Sequence, residues 1–349
     1  MFDSLWNAVT LDVGIDLGTA NTLVAVVGKG IMINEPSVVA VRKKTKEVLA
    51  VGNEARQMIG RTPASVIAIR PLKNGVITDF DTTQAMIRYF IERVHNLSAK
   101  FLKIPRPRVA IGVPSSVTEV ERQAVVDAAR GAGARRVYLV EETIAGAVGV
   151  GLPIEDASGS MIVDIGGGTT DIAIISLGGI VVDKTISVAG DEMDLDILNY
   201  VKHKYNLLVG ERSAEEVKIA IGSASAPKEE KAVVLQGRDL VTGLPKSIEI
   251  SSVEVREALM NTLNQVTEAI RDAIEETPPE ILADLASTGV VIAGGGAQLY
   301  GIDKFLKDRL KLPIIIADDP MTAVARGTAK MLERPDLLSK AEASWEDMI

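Results

Sequence analysis

Two short stretches of this sequence place the same residue types at the same spacing. Asp16 is followed by Gly18, Thr19, Ala20 and Asn21, and Asp164 by Gly166, Gly167, Gly168 and Thr169, each turn lying between two apolar runs (residues 13–26 and 161–174). Glycines in a turn let backbone N–H groups close on an anion, because no Cβ intervenes. Thr19, Asn21, Thr169 and Thr170 add side-chain donors. The chemistry this suits is phosphate binding. A carboxylate beside a phosphate repels it, so Asp16 and Asp164 make sense only with a cation or an ordered water between. Mg²⁺ held largely through water is the natural ion. A strand, an Asp, a Gly turn and a second strand also describe an ordinary β-hairpin. The matched pair, about 150 residues apart, is what reads as a duplicated unit with two phosphate hairpins around one nucleotide.

The elements that must position these turns follow from composition and periodicity. The chain has 349 residues, 47% of them apolar and only 3% aromatic, which suits two domains with aliphatic parallel sheets covered by helices. The formal charge of −9 argues against a nucleic-acid partner. There is no Cys, hence no disulfide or thiolate metal site, and a reducing cytoplasm is compatible. His95 and His203 are too few and too far apart for a histidine metal cluster and read as surface or helix-face residues. No apolar run reaches the ~18 residues of a membrane span.

In chain order, residues 31–72 read as a small insertion with strands at 37–41 and 48–51 and a helix at 53–60. A helix over 81–97 is expected to be capped by Asp81 or Thr82. A strand at 109–113 leads to a helix capped by Ser115 or Ser116 and stopped at Gly131-Ala132-Gly133. A strand at 137–140 ends in Glu141-Glu142, and 145–151 is a helix of small residues. A helix over 190–205 carries the apolar stripe Leu195, Leu198 and Val201. Ser213 with Glu216 reads as a capping box for a helix through Ile221. Strands at 232–251 surround a turn, 253–276 is a long helix, and 289–293 is a buried strand ending in Gly294-Gly295-Gly296. Three consecutive glycines there let a flat ligand lie on the backbone. A last strand (313–317) and helix (320–332) return to the first domain, and the polar tail has no assigned role.

Two facing hairpins of this kind are the hallmark of the actin, sugar-kinase and heat-shock-chaperone superfamily. The local wording is closer to one branch: Asp16-Leu17-Gly18-Thr19-Ala20-Asn21-Thr22, Asn34-Glu35-Pro36-Ser37-Val38-Val39-Ala40, Asp164-Ile165-Gly166-Gly167-Gly168-Thr169-Thr170, Ala189-Gly190-Asp191-Glu192-Met193-Asp194 and Thr277-Pro278-Pro279-Glu280. Over nearly its whole length the chain resembles the MreB family of bacterial actins. The resemblance implies an α/β, actin-like (duplicated ribonuclease H-like) fold around a nucleotide cleft. Residues 1–31, 73–154 and 320–349 would form the first domain core, with 32–72 as its insertion. Residues 155–190 and 252–319 would form the second core, with 191–251 as its small subdomain. It also implies ATP and Mg²⁺ as cofactors, with Glu142, or Glu141 as fallback, orienting the water that attacks the γ-phosphate beside Thr169. Family members usually carry Pro after this Glu pair, where this chain has Thr143. Glu215, Glu216, Val217 and Lys218 would border the adenosine, and Gly294, Gly295, Gly296 and Ala297 would form its platform. The implied role is an ATPase that polymerises with itself on the inner face of the cell membrane. There, with membrane proteins of the wall-elongation machinery, it organises cell-wall synthesis and keeps a rod shape.

Two segments bear on the membrane. Phe2, Leu5, Trp6 and Val9 share one helical face, as a terminal arm packed on its own domain or as an interfacial anchor. At ~1.5–3 kcal/mol per buried side chain the gross gain is nearly cancelled by ordering the arm, so anchoring would rely on avidity in a polymer. Phe101, Leu102 and Ile104 among Lys100, Lys103 and Arg106 read as a second insertion loop or as a helix end tucked into the core. Two other classes use the same hairpins. A small-molecule kinase would need a carboxylate base beside a sugar pocket, and no sugar-binding constellation is evident. A chaperone-type ATPase would need a substrate domain beyond the second unit.

Overall fold

The computed structural model describes residues 10–97 and 106–338. The expected membrane-contacting residues Phe2, Leu5, Trp6, Val9, Phe101, Leu102 and Ile104 lie outside that range. In the first half, β1 (Val13–Leu17), β2 (Asn21–Val26) and β3 (Gly30–Pro36) form an antiparallel meander. The insertion follows as β4 (Val39–Arg42), β5 (Val48–Val51), α1 (Asn53–Met58) and β6 (Val66–Ile69). Its strands make a separate sheet in the order β5-β4-β6, so the insertion contains one strand more than the sequence suggests. A two-residue pair, β7 (Leu72–Lys73) and β8 (Val76–Ile77), leads to α2 (Phe80–Leu97). Then come β9 (Arg108–Val113), α3 (Glu119–Gly131), β10 (Arg136–Glu141) and α4 (Glu142–Val150).

The second half repeats the plan. Its meander is β11 (Ser160–Ile165), β12 (Thr170–Ser176) and β13 (Gly179–Ile186). Its own insertion holds α5 (Gly190–Tyr205), β14 (Leu207–Leu208), α6 (Glu211–Ile221), β15 (Ala232–Asp239) and β16 (Pro245–Ser251). The chain continues through α7 (Ser252–Glu275), α8 (Pro279–Thr288), β17 (Val290–Ala293), α9 (Ile302–Leu310), β18 (Ile314–Ile316) and α10 (Ala323–Glu333). The two main sheets have matching orders, β3-β2-β1-β9-β10 and β13-β12-β11-β17-β18. In both, the first and second strands are antiparallel, and the first strand runs parallel to its other neighbour. The duplication seen in two turns is therefore a duplication of topology.

Register places the two aspartates equivalently. Asp16 pairs with Leu23 on one side and Gly112 on the other, and Asp164 with Asp171 and Ala293. Both central strands are buried along almost their whole length, as strands covered on both faces must be. Each carboxyl thus stands at the carboxyl edge of a sheet, where open α/β folds bind ligands.

The halves are joined by α4 packed on α10. A Cβ on Gly149 would lie 1.9 Å from the Ala323 carbonyl oxygen, and one on Gly327 1.7 Å from that of Ala145. Glycine is required because the two backbones touch.

Several local expectations are corrected. Thr118, not Ser115 or Ser116, caps α3, through a capping box with Glu121. Asp79 receives the Thr82 amide at the start of α2, in place of Asp81 or Thr82. The helix expected to be capped by Ser213 begins three residues earlier, after Gly210, with no side-chain cap, and Glu216 pairs with Arg212 instead. Leu195 faces solvent, while Met193, Ile197 and Val201 face the core. His95 is buried, accepts the Leu11 amide on Nε2 (3.2 Å) and lies 2.7 Å from the Ile91 carbonyl through Nδ1. A ring with both nitrogens engaged by backbone groups belongs in a core. His203 is exposed, as expected.

Gly327→Val is expected to lower stability by about 3 kcal/mol or more, because overpacking here meets backbone on both sides. Gly210→Ala, at a helix N-cap with open space around it, should cost well under about 1 kcal/mol. Urea unfolding of the two variants measures the difference.

Candidate functional site: a phosphate cleft between the halves

Both hairpins open into one cavity of about 570 Å³ between the two halves, within the size range of small-ligand sites. The Gly166 amide donates to the Thr169 carbonyl (2.9 Å), closing the second turn. The first turn is clamped from β3's end: the Ser37 hydroxyl donates to the Gly18 carbonyl (2.6 Å), and its amide donates to Ala20 O (2.9 Å). The two hairpin tips touch. A Cβ on Gly167 would lie 2.6 Å from the Ala20 Cβ, and one on Gly168 2.8 Å from the Thr19 hydroxyl and 3.0 Å from Asn74 Cα. Gly294, at φ +81°, leaves its missing Cβ 2.4 Å from Asp164 Oδ1, so the third glycine run packs directly on the second carboxylate.

Of the residues singled out from sequence, the cavity brings together Asp16, Gly18, Thr19, Ala20, Asn21, Glu142, Asp164, Gly166, Gly167, Gly168, Thr169, Glu215, Lys218, Gly294, Gly295 and Gly296. Glu141, Glu216, Val217 and Ala297 are not on its wall. Strand β10 ends at Glu141 and α4 begins at Glu142, so consecutive side chains diverge. Thr143 follows as the second helical residue and is buried. Val217 and Ala297 are in the apolar core, and Glu216 is on the exposed face of α6. Among the contributors not read from sequence, three support the first hairpin. Gly75 lines the cavity and donates its amide to the Thr19 hydroxyl (2.9 Å). Asn74 stands at φ +51° beside it, and Asn-Gly is the signal that marks such a turn. Ser37, the third, clamps the first turn and was legible only as part of a family motif.

The electrostatics are dominated by clustered carboxyls. Burial pushes Asp16 up to about 7, and raises Asp164 and Glu142 well above the ordinary carboxyl range. Neighbouring charges add to this, Asp171 and Asp16 on Glu142, and Asp16 and Asp171 on Asp164. Asp171 rises to about 6 through burial, although Thr185 and Thr169 donate to it. Among the described residues, none of these four carboxyls is ion-paired with a Lys, Arg or His side chain. Also among them, no three carboxylates or histidines converge closely enough to ligate a metal alone. Uncompensated buried carboxyls that cannot cage an ion fit a hard cation completed by water and phosphate oxygens. Lys218 is spent elsewhere: its ammonium donates to Gly190 O (2.7 Å) and pairs with Asp194 (2.9 Å), tying α6 to the start of α5. Asp191, in that first turn, donates its amide to Gly167 O (2.7 Å).

Matched sheets with facing phosphate hairpins define an actin-like α/β protein. Comparison with known proteins agrees. A model of the MreB/Mbl protein family matches residues 10–340, and the chain belongs to that family. It is 49% identical to the cell shape-determining protein Mbl of Bacillus subtilis, over 95% of this chain and 99% of that protein. The crystal structure of MreB5 of Spiroplasma citri bound to ADP superposes with a TM-score of 0.88 at 39% identity, covering 95% of this chain and 98% of that one. The same protein bound to AMPPNP gives 0.87 at 38%, covering 97% and 99%.

Glu141 supplies a pH test. It is buried, its Oε2 accepts no hydrogen bond among the described residues, and burial followed by Asp183 pushes it up to about 7, against the pull of Arg122. A carboxyl raised in the folded state binds more protons there than in the unfolded chain. The penalty is therefore absent below about pH 4.5, grows between 4.5 and 7, and is complete above 7. Glu141→Gln should stabilise the protein by up to about 3 kcal/mol at pH 8 and leave it nearly unchanged at pH 4.5. Thermal melts at the two pH values check this.

Proposed function

We propose that the chain binds and hydrolyses ATP and polymerises into filaments on the inner face of the cell membrane. In this reading it organises, with membrane proteins of the wall-elongation machinery, the cell-wall synthesis that maintains a rod shape. The observation that carries the reading is the meeting of two phosphate hairpins, from equivalent positions in two matched sheets, around a cavity of nucleotide size. The family supports it, since its relative from Bacillus is a cell shape-determining protein and MreB5 of Spiroplasma binds ADP and AMPPNP. The two halves, each a core with its insertion, are the two domains of this reading, with the nucleotide touching both.

The roles divide by chemistry. The turns at Gly18–Asn21 and Gly166–Thr169 hold the phosphates by backbone and hydroxyl donors. Asp16 and Asp164 would hold Mg²⁺ through water, and bound Mg²⁺ would neutralise phosphate charge. Glu142, at the first turn of α4 and facing the same carboxyls, orients the attacking water. Glu141, outside the cavity, has no part. Gly294–Gly296 offer bare backbone to the base. When the γ-phosphate leaves, the hydrogen bonds it made to Thr19 and to the second turn go with it. Those bonds can change the angle between the halves, since only interactions that differ between states shift an equilibrium. Among the described residues no helix is long and apolar enough to cross a membrane, so attachment falls to the N-terminal arm or the loop around residues 101–104.

Sedimentation of the purified protein with Mg-ATP, with Mg-ADP and without nucleotide, each with and without anionic liposomes, tests the reading. ATP-dependent pelleting enhanced by liposomes is expected. Protein that hydrolyses ATP yet stays monomeric in every tube would remove the cytoskeletal role and favour a small-molecule kinase. Glu142→Gln should retain ATP and slow phosphate release by about 10²-fold; unchanged turnover contradicts its role.

A further inference from the structure

The two halves also meet at the mouth of the cleft, through charges that phosphate binding does not use. Arg56 in α1 places Nη2 2.7 Å from Oε2 of Glu215 in α6. Arg70, directly after β6, reaches Oδ1 of Asp191 at 3.5 Å. Both arginines come from the insertion of the first half, and both carboxylates from that of the second. Glu215 and Asp191 line the cavity, whereas neither arginine does. All four side chains are half-buried, between 22% and 37% exposed, so both pairs are partly shielded from solvent. Each carboxylate is coupled to the second phosphate hairpin. The Asp191 amide donates to Gly167 O (2.7 Å). Glu215 lies three residues before Lys218, whose ammonium donates to Gly190 O. A pull on either arginine is thus a pull on the layer, α5 with α6, that backs the second hairpin.

We propose that Arg56 and Arg70 are positioning residues that clasp the cleft shut over bound nucleotide and set the rate at which it leaves. The inference rests on the nucleotide reading above. A ligand touching both halves departs when they part, and parting breaks both ion pairs. Interactions present only in the closed state lower the population from which release occurs. The clasp acts across the mouth and touches no phosphate, so it governs residence and leaves the chemistry to Glu142.

The test is the dissociation of phosphate-labelled ATP, chased by excess unlabelled ATP with Mg²⁺, below the concentration at which polymer forms. The proteins are the full chain and its Arg56→Ala, Arg70→Ala, Arg56→Lys and double-alanine variants, at 50 and 500 mM KCl. Each alanine variant should release ATP about twofold to fivefold faster, as expected for a partly exposed ion pair, and the double variant faster still. Arg56→Lys should restore most of the retention. High salt should accelerate release from the unmodified protein and have little effect on the double variant, a dependence that a packing role would not produce. If the unmodified protein retains ATP and all variants release it equally fast at both salts, the clasp is wrong and the nucleotide site stands. If the unmodified protein retains no ATP, the nucleotide reading falls and the clasp with it.

Discussion

Four carboxyl groups meet where the two sheets face each other, Asp164 and Asp171 buried and Asp16 and Glu142 partly buried, with no basic side chain among the described residues paired to them. That unbalanced charge is the constraint on which the rest of the structure depends. Carboxyls without counter-charge raise their proton affinity and weaken the fold that buries them, so their retention at one point calls for a ligand that brings positive charge. The backbone around them is shaped for anions, with glycine turns at both strand ends. In the proposed reading a metal-bound nucleotide would supply both, an anion for the glycine turns and a cation for the carboxyls.

The duplication makes this arrangement two-sided. Equivalent strands bring Asp16 and Asp164 to equivalent edges, and the glycines at 167 and 168 let the two tips meet. The close backbone crossing that joins the halves elsewhere, α4 against α10, also relies on glycine. The halves are therefore in close backbone contact where α4 meets α10 and at the two glycine turns, while ion pairs link the two insertions.

Much of this was legible in the sequence because the informative signals are local. The Asp-Gly-Thr turns, the triple glycine after a buried strand and the Glu pair at a strand end each lie within a few consecutive residues. Glu142 separates from Glu141 only in three dimensions, where the change from strand to helix turns one side chain into the cleft and the other away. Helix starts were less legible: Ser115, Ser116 and Thr118 all have cap chemistry, and the Glu three residues beyond Thr118 decides among them. His95 looked like a surface residue because its partners, the Leu11 amide and the Ile91 carbonyl, are backbone groups that composition cannot reveal. The ion pair between Arg56 and Glu215 was not legible at all, since the two are 159 residues apart and nothing local to either marks the other as its partner.

Buried carboxyls and glycine turns together would form a site for a cation-bound nucleotide, and calorimetric titration of ATP into the protein in Mg²⁺ and in excess EDTA tests this most directly. The expected result is saturable one-site binding that is at least about tenfold tighter with Mg²⁺, because without the cation the phosphates face unneutralised carboxylates. Binding of equal strength in EDTA, or no binding in either buffer, would contradict it.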